Sequence, residues 1–302
     1  MSILLPVALY VSFVFGMNNS GLSTGSLLAS GFSYRKGTAI TGVGFVAGAL
    51  LEGWKMALTP STLAGASQVL FVTLLITAIV FSIFSFLGMP VSLVNILIGS
   101  YVGASMAISA PVNYPYLNSI VLSWLALPVI ASLGTIICYK LVVRSLANIS
   151  PVGIGRFHLV AMPLIVFYTA YSLGANNIGL LHNFILHGNL EVLMLVALPA
   201  ASFFGVMKSA KTSRFVSEGI VGHSPATVFS SLAVGAILVW IFTQLAIPVS
   251  LSQLLIAGLV GVNLYRKPAV YNKRGLFILL AAWIGVAVLS FLAAFALQVL
   301  LI

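Results

Sequence analysis

Apolar residues fill the chain in long unbroken runs, separated by short stretches of Gly, Pro, polar and basic residues. Several runs are long enough to cross about 30 Å of hydrocarbon, which takes roughly 20 helical residues. They do not break into the short alternating segments of a transmembrane barrel. Divided at the Gly, Pro and polar breaks, the pattern predicts about ten helical crossings, near 2–29, 37–54, 66–88, 90–110, 117–140, 157–181, 190–207, 226–247, 249–265 and 275–302. The first run has no basic stretch ahead of it and leads into further spans, so it reads as a span and not as a cleaved leader.

The runs fall into two similar halves. "GMNNSGL" at 16–22 returns as "GANNIGL" at 174–180, and "MPVSLVN" at 89–95 returns as "IPVSLSQ" at 247–253. Both pairs are 158 residues apart, the mark of an internal duplication. Residues 1–140 form the first membrane repeat, 141–156 a cytoplasmic linker, and 157–302 the second repeat. Segments 90–110 and 249–265 are the two whose crossing is in question, because either could turn back.

Charge settles the preference between those topologies. Of 302 residues, 61% are hydrophobic and 5% charged, a composition outside the range of soluble domains. If all ten segments cross, Arg35, Lys36, Lys140, Arg144, Arg156, Lys208, Lys211, Arg214, Arg266, Lys267, Lys273 and Arg274 collect on one side, leaving Lys55 on the other. Basic loops stay cytoplasmic, so this topology is favoured over one that splits the charges. Five crossings per half is an odd number, so the repeats are inverted, with broken or half helices near the midplane and both termini outside. The expected location is the plasma membrane. The net charge of +10 is accounted for by these loops, so nucleic acid is not an expected partner. Cys138 stands alone in an apolar run, which excludes a disulfide framework and a thiolate metal site.

Few polar residues lie inside the apolar runs. Asn18-Asn19 and Asn176-Asn177, flanked by Gly16, Gly21, Gly174 and Gly179, suit locally unwound helices whose free carbonyls and amides meet a ligand. Asn and Gly also knit helices together, and a single doublet would read that way. The duplication turns the reading toward a site. Pro90 and Pro248 start helices whose free N–H groups, around Ser92 and Ser250, suit an anion. Glu52 and Lys55 read as an interfacial ion pair, Glu191 as a helix-start acid, and Glu218 as part of a basic loop. His182 follows the second doublet and is a secondary candidate; His158, His187 and His223 fall near segment ends. Paired acids, Cys/His metal spacing and nucleophile–base patterns are missing, which argues against an enzyme.

At these positions the chain resembles the inorganic phosphate transporter family of sodium- or proton-coupled phosphate permeases and related sulfate permeases. That family repeats G-A-N-D-V-A-N and G-L-P-V-S-T-T-H once per half. Asn18 and Asn176 keep its Asn, while Asn19 and Asn177 replace its Asp; Leu22 and Leu180 replace its second Asn. Ser92 and Ser250 keep its serine, Leu93, Val94 and Leu251 replace threonines, and Ser252 stands at the remaining one. Asn95 and Gln253 occupy the histidine position, and Ser26 falls where Thr is usual. "STGSLLASGFSYRKGTAI" and "IVLSWLALPVIASLG" resemble further stretches of the family.

The resemblance implies a permease for a small inorganic oxyanion, phosphate first and sulfate second, working by alternating access. The implied substrate residues are Asn18, Asn19, Ser26, Ser92, Asn176, Asn177, Ser250 and Ser252, with Asn95, Gln253 and His182 secondary. Sodium, if bound, would lie near Asn18, Asn19, Asn176 and Asn177. No cofactor is expected beyond a coupling sodium ion or proton, and a homodimer fits the family's habit. An Asp-to-Asn change keeps a carbonyl oxygen but removes a charge and a protonation site, so the coupling is expected to be weakened, altered or absent. An anion channel and a transport-inactive accessory protein remain as alternatives.

Overall fold

The structure is a computed structural model describing residues 4–58, 67–184, 191–220, 223–266 and 273–301. The first half holds α1 (Leu4–Ala29), α2 (Tyr34–Glu52) with a following 3-10 turn (Gly53–Leu58), α3 (Ser67–Leu87), α4 (Leu93–Ala107) and α5 (Tyr114–Leu146). The second holds α6 (Pro151–Leu173), a π-helical turn (Gly174–Ile178), α7 (Gly179–Asn183), α8 (Glu191–Val206), α9 (Ala210–Ile220), α10 (Pro225–Gln244), α11 (Leu251–Arg266) and α12 (Lys273–Leu300). A shift of 158 residues carries α3, α4 and α5 onto α10, α11 and α12, with starts agreeing to within one residue. Local chemistry sets several of these starts. Ser150 and Ser224 cap α6 and α10 ahead of a first-turn proline, and Asn113 caps α5 in the same way. Between α5 and α6, residues 147–150 alone are non-helical within the expected linker.

Glycines let the central helices touch backbone to backbone. A side chain at Gly16 or Gly205 would strike the carbonyls of Ser202 and Phe13, where α1 crosses α8. One at Gly48 or Gly174 would strike those of Tyr171 and Phe45, where α2 crosses α6. Close approach of this kind is how helices associate where lipid removes the hydrophobic drive.

Contacts along these helices fix their directions. Thr24 meets Thr41 at 3.1 Å and the Phe15 and Phe45 rings lie 5.0 Å apart, so α2 runs against α1. Gly44 packs on Ala170, Gly48 on Tyr171 and Gly53 on Gly179, so α2 runs with α6. The equivalent helices α1 and α6 therefore run in opposite directions, and the halves are inverted.

The ten expected segments occur as helices, but two pairs of them fold as hairpins. α3 runs beside α1, with Tyr10 bonded to Ser82 at 2.9 Å, and its far end meets Asn18 in the middle of α1. The chain turns there, and α4 runs back along α12, Asn95 by Trp283 and Gly103 by Phe291. At the open end of the hairpin Gln68 reaches the carbonyl of Leu301. α4 has 15 residues and α11 has 16, about 22–24 Å of helix, short of a full crossing. α10 and α11 repeat the arrangement from the opposite end, against α6 and α5. Hydropathy alone cannot distinguish a spanning helix from an equally apolar one that turns at depth: Gln68–Leu87 and Pro225–Gln244 both qualify as spans by length and composition.

With one hairpin in each half, described basic residues still gather toward one end of the bundle. Arg35 and Lys36 start α2, Lys140 and Arg144 end α5, and Arg266 ends α11 beside them, with Lys140 over the Tyr265 ring and Arg266 over that of Tyr139. Tyr34, next to Arg35, bonds the carbonyl of Met207 at the end of α8, which brings Lys208, Lys211 and Arg214 to the same end. Lys55 lies toward the other.

Candidate functional site

Each hairpin tip is held by the first Asn of a doublet through equivalent bonds, to which Asn176 adds a contact from Nδ2 to Met56 Sδ at 3.6 Å. Asn18 donates from Nδ2 to Ser85 Oγ (3.0 Å) and to the Met89 carbonyl (2.9 Å), and its Oδ1 accepts from the Val91 N–H (3.0 Å). Asn176 donates to Thr243 Oγ1 (3.0 Å) and to the Ile247 carbonyl (3.2 Å), and accepts from the Val249 N–H (3.1 Å). Every partner lies 158 residues from its counterpart. A helix break in hydrocarbon frees backbone groups that need partners, and these two amides supply them. The expected unwinding at the doublets does not occur. α1 passes through Asn18-Asn19 as unbroken α-helix, and Asn176-Asn177 sit in a π-helical widening. The side chains bond a neighbouring segment and leave their own helix ladder in place, so the breaks fall at the tips they clamp.

The tips share one more feature. Gly88 has φ +77° and Ala246, 158 residues later, has φ +55°. Both turns need the left-handed region, which an L side chain enters at a cost. Tyr116 of α5 donates to the Ala246 carbonyl at 2.6 Å, a further tie on the second tip.

After the tips come the half-helix starts. Ser92 caps α4, accepting from the Asn95 N–H at 3.3 Å and donating to Asn95 Oδ1 at 3.0 Å. Asn95 Nδ2 donates to the Trp283 carbonyl at 3.1 Å. Ser250 and Ser252 share a hydrogen bond of 3.0 Å at the start of α11. Asn95 and Gln253 come together on one cavity of about 480 Å³ between the halves, with Trp124, Pro128, Trp283 and Ala287 among its walls. The walls are almost wholly apolar.

Asn19 and Asn177 behave differently from their neighbours. They are 5% and 1% exposed, and Asn19 Oδ1 and Asn177 Nδ2 are buried without a hydrogen-bond partner. A buried unpaired polar atom costs about 1–3 kcal/mol, so an equivalent pair in two repeats marks a place where a bonding partner is missing. An amide can offer its oxygen to a cation or its N–H groups to an oxyanion. Asn18 and Asn176 use their oxygens on the Val91 and Val249 N–H groups, which leaves only the neutral amide oxygens of Asn19 and Asn177, a weak donor set for sodium. Ser20, directly after Asn19, and Ser23, one turn along α1, also have buried hydroxyls without partners.

Two expected residues lie apart from this chemistry. Ser26 turns its hydroxyl onto the Leu22 carbonyl at 2.7 Å, inside its own helix. His182 is buried in a small pocket with Gly53, Gly179 and Pro199, between α2, α7 and α8. Among the described residues no group of three or more His, Cys, Asp or Glu gathers.

The sequence reading missed four participants. Ser85 and Thr243 are clamp partners that a 158-residue register would have paired as hydroxyls. Gln244 and Lys211 had no such signal. Lys55 pairs with Glu52 at 3.3 Å, as expected, but its Nζ also donates to Gln244 Oε1 at 2.5 Å. Gln244 Nε2 closes the ring by donating to Glu52 Oε2 at 2.9 Å. Lys211 donates to the Phe86 carbonyl at 2.6 Å.

No family model matches the chain. It is 23% identical over 294 residues to a protein of Methanocaldococcus jannaschii named "Putative phosphate permease", a match covering 96% of this chain and 94% of the relative. A solved structure titled "The sodium-dependent phosphate transporter" shares the fold with a TM-score of 0.85 at 16% identity, over 100% of this chain and 99% of that one. The chain has that all-α, polytopic membrane fold.

Proposed function

We propose that the protein is a secondary transporter for a small tetrahedral oxyanion, with phosphate the first substrate and sulfate the second. The observation that carries this reading is the second Asn of each doublet, buried one residue from a clamp with an unpaired amide atom: Asn177 Nδ2 offers an N–H to an oxyanion, and Asn19 Oδ1 accepts the O–H of a protonated one such as hydrogen phosphate. Ser92, Ser250 and Ser252 add hydroxyls, and the half-helix starts add unpaired N–H groups and the positive dipole end, which favour an anion. The named functions of the two similar proteins agree in substrate.

The inverted halves suit alternating access, with hairpins entering from opposite ends and meeting one site from either side. Asn19, Asn177, Ser92, Ser250 and Ser252 are all under 10% exposed, which fits an occluding carrier better than an open pore. Sodium coupling is weak in this reading, because both positions next to the clamps hold neutral amides. The basic end of the bundle faces the cytoplasm of a plasma-membrane protein.

Uptake of labelled phosphate and sulfate into proteoliposomes tests the reading. Saturable uptake that changes little when a sodium or proton gradient is imposed is the expected result. Ohmic anion current would move the protein to the channel class, and flux no greater than that of empty liposomes would remove transport altogether.

A further inference from the structure

Beyond its clamp, each hairpin is gripped by a lysine from the opposite repeat. Lys55, in the 3-10 turn after α2, reaches Gln244 at the end of α10. Lys211, in α9 after α8, reaches the Phe86 carbonyl at the end of α3. Phe86 and Gln244 are equivalent positions, each directly after the clamp hydroxyls of Ser85 and Thr243. The two lysines sit in equivalent connecting segments, following the second helix of each repeat. Lys211 also lies across the first tip: a Cβ at Gly88 would fall 2.9 Å from its Cγ.

Clamp and lysine differ in what they connect. Asn18 and Asn176 tie a hairpin to the first helix of its own repeat, whereas the lysines tie it to the other repeat. A hairpin that moves relative to the other half keeps its clamp and loses its lysine. The lysine is also the group an arriving oxyanion would contest, since ammonium bonds a charged oxygen more strongly than a carbonyl or amide.

We propose that Lys55 and Lys211 are anion-released latches, one on each hairpin. An oxyanion reaching the tip takes the ammonium from Gln244 or Phe86, and the freed hairpin opens that end of the site. The latches are unequal. Glu52 lies 3.3 Å from Lys55 and neutralises it, while Lys211 shares its end of the bundle with exposed Lys208 and Arg214. The Lys211 latch therefore answers to lower anion concentrations than the Lys55 latch, and its response weakens more with ionic strength.

The proposal rests on the anion-transport reading, and the test separates the two. Single cysteines at Met89 and Ile247, in a Cys138→Ala background, report tip exposure by their rate of modification with a charged thiol reagent in proteoliposomes. Phosphate should raise the wild-type rate at both tips. Lys211→Gln should raise the Met89→Cys rate about tenfold without phosphate and abolish the response to it, leaving Ile247→Cys unaffected. Lys55→Gln should do the converse, and Lys211→Arg should preserve the response. If Lys211→Gln and Lys55→Gln leave both rates and their phosphate response unchanged in protein that still transports, the latches are refuted. If the wild type transports neither anion, the transport reading fails and takes the anion trigger with it, even where the glutamine variants expose the tips.

Discussion

Replacing Asn18 with Ala removes one side chain and strands two backbone groups. The Met89 carbonyl loses the Nδ2 donor at 2.9 Å, and the Val91 N–H loses the Oδ1 acceptor at 3.0 Å, at a tip where Val91 is 1% exposed. Each stranded group costs about 1–3 kcal/mol, so Asn18→Ala should destabilise the fold by about 2–6 kcal/mol. Ser85→Ala, which takes away one of two acceptors and leaves both backbone bonds intact, should cost about 0.5–1.5 kcal/mol. The equivalent bonds at Asn176 mean that Asn176→Ala should cost the same as Asn18→Ala. Equilibrium unfolding in mixed detergent micelles, with fixed detergent composition, reads all three. Values for the two Asn variants within about 0.5 kcal/mol of wild type would refute the clamp, because surface substitutions give no more than that. A large cost at one Asn and none at the other would refute the equivalence of the repeats.

Three further predictions follow from other parts of the fold. Ala246→Gly should be neutral or stabilising by up to about 1 kcal/mol, whereas Gly88→Ala should cost about 1–2 kcal/mol, since only one of them puts a Cβ into the left-handed region; the same unfolding assay decides. Gly16→Val and Gly174→Val place side chains on the Ser202 and Phe45 carbonyls, and should abolish the monodisperse peak in size-exclusion chromatography. The double variant Asn19→Asp with Asn177→Asp should make phosphate uptake sodium- or proton-dependent; uptake with unaltered coupling would count against cation sites at those positions.

The duplication was the most legible feature of the sequence. Its 158-residue register located both doublets, both half-helix starts and, unread, the hydroxyls of Ser85 and Thr243. The Glu52–Lys55 pair was legible because it is local, three residues along one turn. What Asn18 does was not. Its partners Met89 and Val91 lie 71 and 73 residues away, and an amide facing a backbone looks the same in sequence as one facing a ligand. Depth was hidden for a similar reason. α3 is as apolar as a spanning helix, and nothing in its letters says that it turns beside the middle of α1. The two Asn of each doublet also divide their work in a way that adjacency concealed: the first is fully bonded to a hairpin, and the second holds the unpaired atom.

That division leads to the measurement bearing most directly on function, counterflow of labelled phosphate in proteoliposomes preloaded with unlabelled phosphate. Wild-type protein should accumulate label transiently, without any ion gradient. Asn19→Leu with Asn177→Leu, which keeps the clamps and removes the unpaired amides, should reduce that accumulation at least tenfold while leaving the chromatographic profile unchanged. Counterflow equal to wild type in the double leucine variant would place the anion elsewhere and contradict the site.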